Sequence, residues 1–162
     1  MVGHIPLEDI ILVRVQVSQH VLSIFCYNQK MQRNVFIFHG TEGYPEENWF
    51  PWLKEKLEAK SCNVIVPQFP TPPIIPAKIT EWFDVLKQYE KYIDENSIIV
   101  GHSLGGVFTL RILEKIKNPI KAVFLTGTPI GIKPLLNYER DASFCGFDFN
   151  WENSPKLRCI SF

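Results

Sequence analysis

The chain has 162 residues, a length typical of one domain that buries a substantial core. Hydrophobic residues make up 46% of it and aromatic residues 13%, a composition that excludes a disordered chain. Lysine plus arginine and aspartate plus glutamate number 17 each, so the formal charge is zero. No overall field attracts nucleic acid or an anionic membrane, and we expect neither as a partner.

The cysteines and histidines do not form a metal-binding pattern. No C-x-x-C pair occurs, and no cysteine lies at metal-ligand spacing from a histidine. We therefore expect reduced, mostly buried thiols in a cytoplasmic protein, with no metal and no cofactor. The four cysteines are Cys26, Cys62, Cys145 and Cys159.

Residues 1–33 are expected to form an N-terminal extension to a domain of residues 34–162. Arg14, Gln16 and His20 interrupt its apolar runs well before the roughly 20 apolar residues that a membrane span needs. We also expect no signal peptide, because a basic leader, an apolar core and a small-residue cleavage site do not occur together. Since Met31 directly precedes the first clear strand, translation from that residue is one hypothesis.

A continuous apolar run at residues 34–38 predicts the first strand, buried on both faces as in a parallel sheet covered by helices. The next residues are His39, Gly40, Thr41 and Glu42. They follow the carboxyl end of the strand, where open parallel sheets bind ligands, so we expect them to line a pocket. Histidine at the first of these positions is expected to brace the loop by hydrogen bonds rather than to act as a base.

The next segment predicts a helix and a second strand. Asn48 is expected to cap a helix that continues to Lys60, with Pro51 in the first turn, where a missing N–H does no harm. An apolar run at residues 63–67 then predicts the second strand.

Five prolines among residues 67–76 exclude a helix or a central strand there. They predict a stiff loop over the same edge of the sheet, with Phe69 and Pro70 at the pocket mouth. A proline-rich ligand for a partner domain is the alternative for this segment.

From Thr80 onwards the pattern continues to alternate helices and strands. The helix beginning at Thr80 is expected to turn one apolar face to the core, formed by Trp82, Phe83, Leu86, Tyr89 and Ile93. Strands are expected at residues 97–100 and 121–125, and a helix between them ends near residues 118–119.

The last part of the chain is less regular. Thr126 opens another loop at the active edge, and residues 132–150 are expected to be irregular. A short helical turn is expected at residues 150–154, and the opening of a fifth strand at 157–162. Short connections between alternating strands and helices predict a three-layer α/β/α sandwich with a mainly parallel sheet.

The strongest motif is Gly-His-Ser-Leu-Gly at residues 101–105, between a predicted strand and a predicted helix. In this setting G-x-S-x-G indicates a nucleophile elbow, a sharp turn that exposes a serine hydroxyl at the sheet edge. Ser103 is the expected nucleophile, flanked by His102. Gly101 and Gly105 fit this turn, because a Cβ at either position would collide with neighbouring backbone. The alternative is an ordinary strand–helix turn in which the serine only caps the helix.

A nucleophilic serine also needs donors for the oxyanion that forms on its substrate. The backbone N–H of Leu104 lies at the amino end of the predicted helix, where the helix dipole supports negative charge. Hydrolases of this architecture take a second donor from the loop after the first strand. The expected second donor is the N–H of Thr41 or Glu42, with Gly40 allowing a close approach.

Four separated motifs occur in the order found in a known family. They are FIFHGTEG at residues 36–43, NWFPWL at 48–53, FPTP at 69–72 and GHSLGG at 101–106. The sequence resembles the small α/β-hydrolase-fold serine hydrolases that include retinoblastoma-binding protein 9, over about residues 33–162. The resemblance implies Ser103 as nucleophile, an oxyanion hole from Leu104 and the loop after His39, and small ester, thioester or amide substrates.

The sequence departs from this family at the other two triad positions. In the family the acid follows the fifth strand and the histidine lies near the C-terminus. No histidine follows Ser103 here, because the four are at positions 4, 20, 39 and 102. Asp141 and Asp148 precede the predicted fifth strand, so neither is at the family's acid position. We therefore expect a truncated α/β-hydrolase fold without the triad Asp and His, and little or no activity from this chain alone.

Three hypotheses remain open at this point. The chain is a serine hydrolase whose C-terminal part is missing, a non-catalytic interaction protein that keeps the fold, or one half of an enzyme completed by a second chain. The first and third imply a small-molecule or acyl substrate. Without a last helix over the sheet, apolar surface and a strand edge stay exposed, so self-association is also expected.

Overall fold

The structure is a computed structural model that describes residues 32–71, 77–116, 119–129, 138–145 and 149. Several sequence predictions lie outside this part of the chain: the extension before residue 32, the helical turn at 150–154, the fifth strand at 157–162, the proline-rich residues 72–76, and the positions of Cys26, Asp148 and Cys159.

Four parallel strands form one sheet in the order β2-β1-β3-β4. β1 is central and pairs with both β2 and β3; Phe36, for example, lies opposite Ile65 on one side and Ile99 on the other. The strands are Asn34–Phe38 (β1), Asn63–Ile65 (β2), Ile98–His102 (β3) and Ala122–Thr126 (β4).

Helices alternate with the strands, which confirms the α/β class. They are Phe50–Glu58 (α1), Ile79–Lys87 (α2), Leu104–Leu113 (α3) and Tyr138–Cys145 (α4), with a 3-10 turn at Glu90–Tyr92 after α2.

The sheet has a separate apolar core on each face because successive side chains of a strand point to opposite sides. Val35 and Ile37 of β1 pack with residues of α1, whereas Phe36 and Phe38 pack with residues of α2, α3 and α4. The chain order explains this division. From β1 to β2 the chain moves in one direction across the sheet, and from β2 to β3 and then to β4 it moves in the opposite direction. Right-handed connections therefore place α1 on the opposite face of the sheet from α2 and α3. The result is the three-layer α/β/α arrangement.

The start of α1 differs from the sequence prediction. Trp49, and not Asn48, occupies the capping position, and no side chain caps the helix. Asn48 instead has a φ of 52°, a left-handed conformation that asparagine tolerates better than most residues. Pro51 lies in the first turn as expected, and the helix ends at Glu58, two residues before the predicted end at Lys60.

Two further differences concern helix extent. The helix predicted from Thr80 to Ile93 begins at residue 79, ends at residue 87 and gives way to the 3-10 turn. Residues 132–150, predicted to be irregular, contain α4. Serine, aspartate, cysteine and phenylalanine in α4 have weak helix propensity, so contacts with the rest of the fold must stabilise it.

Within the described residues, β2 and β4 are the two outer strands of the sheet. All five residues of β4 are partly exposed, whereas β1 and β3 are mostly buried. In the part of the chain that the structure describes, no helix is long and apolar enough to span a bilayer.

We expect residues 1–162, expressed alone, to self-associate through β4, because a partly exposed strand with apolar residues such as Val123 and Leu125 can associate with another chain. Size-exclusion chromatography with light scattering measures this directly. A monodisperse monomer with a sharp melting transition would contradict the expectation.

Candidate active site

Ser103 occupies a strained turn between β3 and α3. Its φ of 51° and ψ of −121° lie where residues with a side chain rarely occur. Strain of this kind costs on the order of 1–3 kcal/mol and persists only where the surroundings enforce it. Two backbone hydrogen bonds do so: the Ser103 N–H donates to the carbonyl of Thr126 at 2.9 Å, and the Gly106 N–H donates to the Ser103 carbonyl at 2.9 Å.

The glycines around Ser103 allow three backbone segments to meet. A Cβ on Gly101 would lie 2.6 Å from the Gly106 Cα, closer than real Cβ atoms approach. A Cβ on Gly105 would collide with the carbonyl oxygens of Phe38 and His39 at the end of β1. The amino end of α3 therefore packs directly against the ends of both β1 and β3.

The loop after β1 lies against the serine. A Cβ on Gly40 would be 2.9 Å from the Cβ of Ser103 and 3.3 Å from its Oγ. The order of the strands reverses between β1 and β3, and ligands of open parallel sheets bind at such a switch point. Thr41 and Glu42 follow Gly40 in the same turn, so the predicted second oxyanion donors lie in the loop that borders Ser103.

Leu104 is the first residue of α3. The first N–H groups of an α-helix have no acceptor within the helix, and the helix dipole makes this end positive. The arrangement therefore has the chemistry to stabilise a negative charge that develops beside the Ser103 hydroxyl.

His39 is fully buried, and both of its ring nitrogens are engaged. The Phe69 N–H donates to Nε2 at 3.0 Å, which places the ring proton on Nδ1, and Nδ1 lies 3.0 Å from the Gly40 carbonyl. Burial lowers the pKa of this imidazole, so it stays neutral. The histidine thus braces the loop after β1 against the segment at residue 69.

Acidification is expected to destabilise the fold through His39. The unfolded chain takes up a proton near pH 6.5, whereas the buried imidazole, with its lowered pKa, resists it. The unfolded state then binds more protons, so the free energy of unfolding falls from about pH 7.5 to about pH 5.5, by at most about 1.4 kcal/mol per pH unit for this group. Urea unfolding across this range should show a shallower slope for His39→Gln than for the parent chain; equal slopes would contradict the argument.

His102 packs against α1, with its ring centroid 6.0 Å from that of Trp49 and 5.7 Å from that of Phe50. Burial lowers the pKa of its imidazole. Its Nδ1 is buried and has no hydrogen-bond partner among the described residues. The ring is thus held on the α1 side of the sheet, against the core residue Phe50.

Phe69 is fully buried, and its ring stacks on Trp82 with centroids 4.4 Å apart. The ring therefore belongs to the core and not to the pocket mouth, where the sequence predicts it. Pro70 is partly exposed and contributes its carbonyl, which accepts the Trp82 Nε1–H at 2.8 Å and fastens the loop. Thr126 is partly exposed beside the elbow.

Sequence reasoning missed one side chain at the site. The Thr41 hydroxyl donates to Oδ2 of Asp141 on α4 at 2.8 Å, and Asp141 is only 9% exposed. The two residues are 100 positions apart, and no local pattern pairs them.

A groove of about 270 Å³ between α2 and the end of α3 contains none of the predicted site residues. Among the described residues, no group of three or more His, Cys, Asp or Glu side chains could hold a metal ion.

Two comparisons identify the same relative in Bacillus subtilis, one by sequence and one by structure. The chain is 34% identical over 87 residues to the "Putative hydrolase YdeN" of strain 168, an alignment that covers 54% of this chain and 45% of that protein. The crystal structure of the ydeN gene product superposes with a TM-score of 0.66 at 28% identity, covering 75% of this chain and 64% of the other. The chain therefore spans less than two thirds of the length of this relative.

A family model described as "Serine hydrolase" matches residues 35–144, which include both loops at the elbow. Together with the parallel sheet and the strained serine, this match shows that the chain belongs to the serine hydrolase family.

Proposed function

We propose that the domain hydrolyses small esters, thioesters or amides with Ser103 as the nucleophile. The observation that carries the proposal is the conformation of Ser103, which has a positive φ at a strand–helix turn and lies against Gly40. A residue that only capped α3 would have no need of this strain.

In the proposed reaction the Ser103 Oγ attacks the substrate carbonyl carbon and loses its proton to a base. The carbonyl oxygen becomes an oxyanion, which accepts hydrogen bonds from the N–H of Leu104 and from that of Thr41 or Glu42. Collapse of this intermediate releases the leaving group, which takes up a proton as an alcohol, thiol or amine. Water then cleaves the acyl-serine ester and releases a carboxylic acid.

The base is not among the described histidines. Both ring nitrogens of His39 are engaged, His102 is packed against α1, and no histidine follows Ser103 in the 162 residues. Loss of the base in a Ser-His-Asp triad lowers turnover by about 10⁶, while binding and the oxyanion hole retain about 10³–10⁴ over water. We therefore propose that residues 1–162 alone are nearly inactive, and that a triad Asp and His come from further sequence or from a complementing chain.

Two finer assignments belong to the same proposal. Membership of the group that includes retinoblastoma-binding protein 9 is supported by the four motifs at residues 36–43, 48–53, 69–72 and 101–106. A cytoplasmic location is supported by the positions of the four cysteines, which show no disulfide framework and no metal-binding spacing in the sequence.

A non-catalytic interaction protein that retains the hydrolase fold is the second candidate. The engagement of His39 favours it, because a binding module needs no base at the serine. The two candidates differ in whether residue 103 does chemistry.

The test compares hydrolysis of p-nitrophenyl acetate by residues 1–162 and by Ser103→Ala, with and without imidazole as an external base. We expect slow hydrolysis by the parent chain that imidazole accelerates beyond its own background reaction, and no such acceleration for Ser103→Ala. Equal rates for the two proteins at every imidazole concentration would favour the interaction protein.

A further inference from the structure

The turn that borders Ser103 is itself strained. The Gly43 N–H donates to the Gly40 carbonyl at 3.1 Å and closes a four-residue turn. Its third residue, Glu42, has a φ of 58°, while its second, Thr41, does not have a positive φ. This pattern is that of a type II turn, whose third position normally takes glycine or asparagine. Glutamate there is unfavourable, and something must hold the turn in this form.

The strain matters because of the peptide that it orients. Types I and II differ by a rotation of roughly 180° of the peptide between the second and third residues, here Thr41 and Glu42. A type I turn would relieve the positive φ of Glu42. It would also reverse the direction of the Glu42 N–H, which is one of the two candidates for the second oxyanion donor.

The Thr41 side chain is fixed by a hydrogen bond to Asp141. Its hydroxyl donates to Oδ2 at 2.8 Å, and Asp141 as a residue is only 9% exposed. Exclusion of water at this buried position strengthens such a hydrogen bond. Restraint of the side chain also restrains the backbone of the residue that precedes the critical peptide.

Asp141 can act as an anchor because α4 is fastened to two other elements. The Nε–H of Arg111 on α3 donates to the Phe144 carbonyl at 3.0 Å. The hydroxyl of Ser143 donates to the Ala77 carbonyl at 2.8 Å, just before α2. The helix therefore links the core helices to the loop at the serine.

We propose that Asp141 is a positioning residue: through Thr41 it holds the turn after β1 in the orientation that presents a backbone N–H to the oxyanion at Ser103. The inference rests on the proposed function. Nothing in the local sequence indicates this role, because it depends on a contact between residues 100 positions apart.

The test measures the rate at which a fluorophosphonate modifies Ser103 in residues 1–162, with imidazole present as the base. The Oγ displaces fluoride from phosphorus, so an O–P bond forms, a P–F bond breaks and the hydroxyl proton passes to imidazole. Thr41→Val and Asp141→Ala are each expected to slow labelling by about 10- to 100-fold. Asp141→Asn retains an acceptor and Thr41→Ser retains the hydroxyl, so both should recover most of this loss.

A double variant and a matched control distinguish positioning from general loosening. Thr41→Val combined with Asp141→Ala should label no more slowly than the slower single variant, because each substitution removes the same hydrogen bond. Thr71 donates to the Gly43 carbonyl of the same turn at 3.3 Å but does not bond Thr41, so Thr71→Val should change the rate by less than about twofold. If Asp141→Ala does not fold, the labelling rates of Thr41→Val and Thr41→Ser are compared instead, and a slower rate for Thr41→Val alone supports the inference.

Multiplicative losses in the double variant, or an equal loss in Thr71→Val, would overturn the inference. So would labelling of Ser103 at the parent rate in Thr41→Val, which leaves the proposed function intact. Absence of any adduct at Ser103 in the parent chain would overturn the proposed function and this inference with it.

Discussion

Replacing Trp82 by alanine is expected to lower the free energy of unfolding by about 3–5 kcal/mol, the range for deletion of a buried aromatic side chain. Trp82 has no exposed surface, and its ring is enclosed by aromatic neighbours. It stacks on Phe69 and contacts Phe108 and Phe144 with centroids 5.2 Å and 4.9 Å away. Its removal would leave a cavity that these rigid rings cannot fill.

Trp52 on α1 is the matched control. It is also a tryptophan on a helix that packs against the sheet, but the residue is 44% exposed. Trp52→Ala should cost less than about 1 kcal/mol, because surface substitutions rarely change stability by more. Urea unfolding of both variants measures the difference. Equal losses would show that the cluster around Trp82 is not the main core.

The same substitution should also affect the site. The Trp82 indole N–H holds the Pro70 carbonyl, and the neighbouring Phe69 N–H holds His39. The stability of the core and the position of the loop after β1 are therefore linked through a short run of hydrogen bonds.

Gly105→Ala is expected to destabilise the fold by about 3 kcal/mol or more, because the new methyl group would overlap two backbone carbonyls that cannot move separately. These carbonyls belong to Phe38 and His39 at the end of β1. The helix would have to move away from the sheet, and Ser103 would move with it.

Gly127→Ala separates steric overlap from backbone strain. Gly127 has a φ of 58°, yet a Cβ there would have no atom within 4 Å. Its cost should be about 1 kcal/mol, from the left-handed conformation alone. If Gly105→Ala costs no more than Gly127→Ala in thermal unfolding, the close approach of α3 to β1 is not required.

Local patterns predicted most of the elements that carry the site. The apolar runs of β1 and β3 and the glycines around Ser103 have effects that act over a few residues, so the sequence shows them directly. The helix ends were less predictable. Asn48 has a capping side chain, but it lies in a left-handed turn, and Trp49 precedes the helix instead.

What could not be predicted depends on contacts between distant residues. The sequence of α4 favours a helix weakly, and its fold depends on bonds such as that from Arg111 to the Phe144 carbonyl. Because α4 was not expected, the bond from Thr41 to Asp141 was not expected either. The proton position on His39 likewise follows only from the N–H of residue 69, which is 30 positions away.

The central claim is that residue 103 holds a nucleophilic hydroxyl. Peptide mapping by mass spectrometry, after long incubation of residues 1–162 with a fluorophosphonate and imidazole, tests it most directly. The account predicts an adduct on Ser103 that is absent from Ser103→Ala. An adduct on a different residue, or none at all on the folded parent chain, would contradict it.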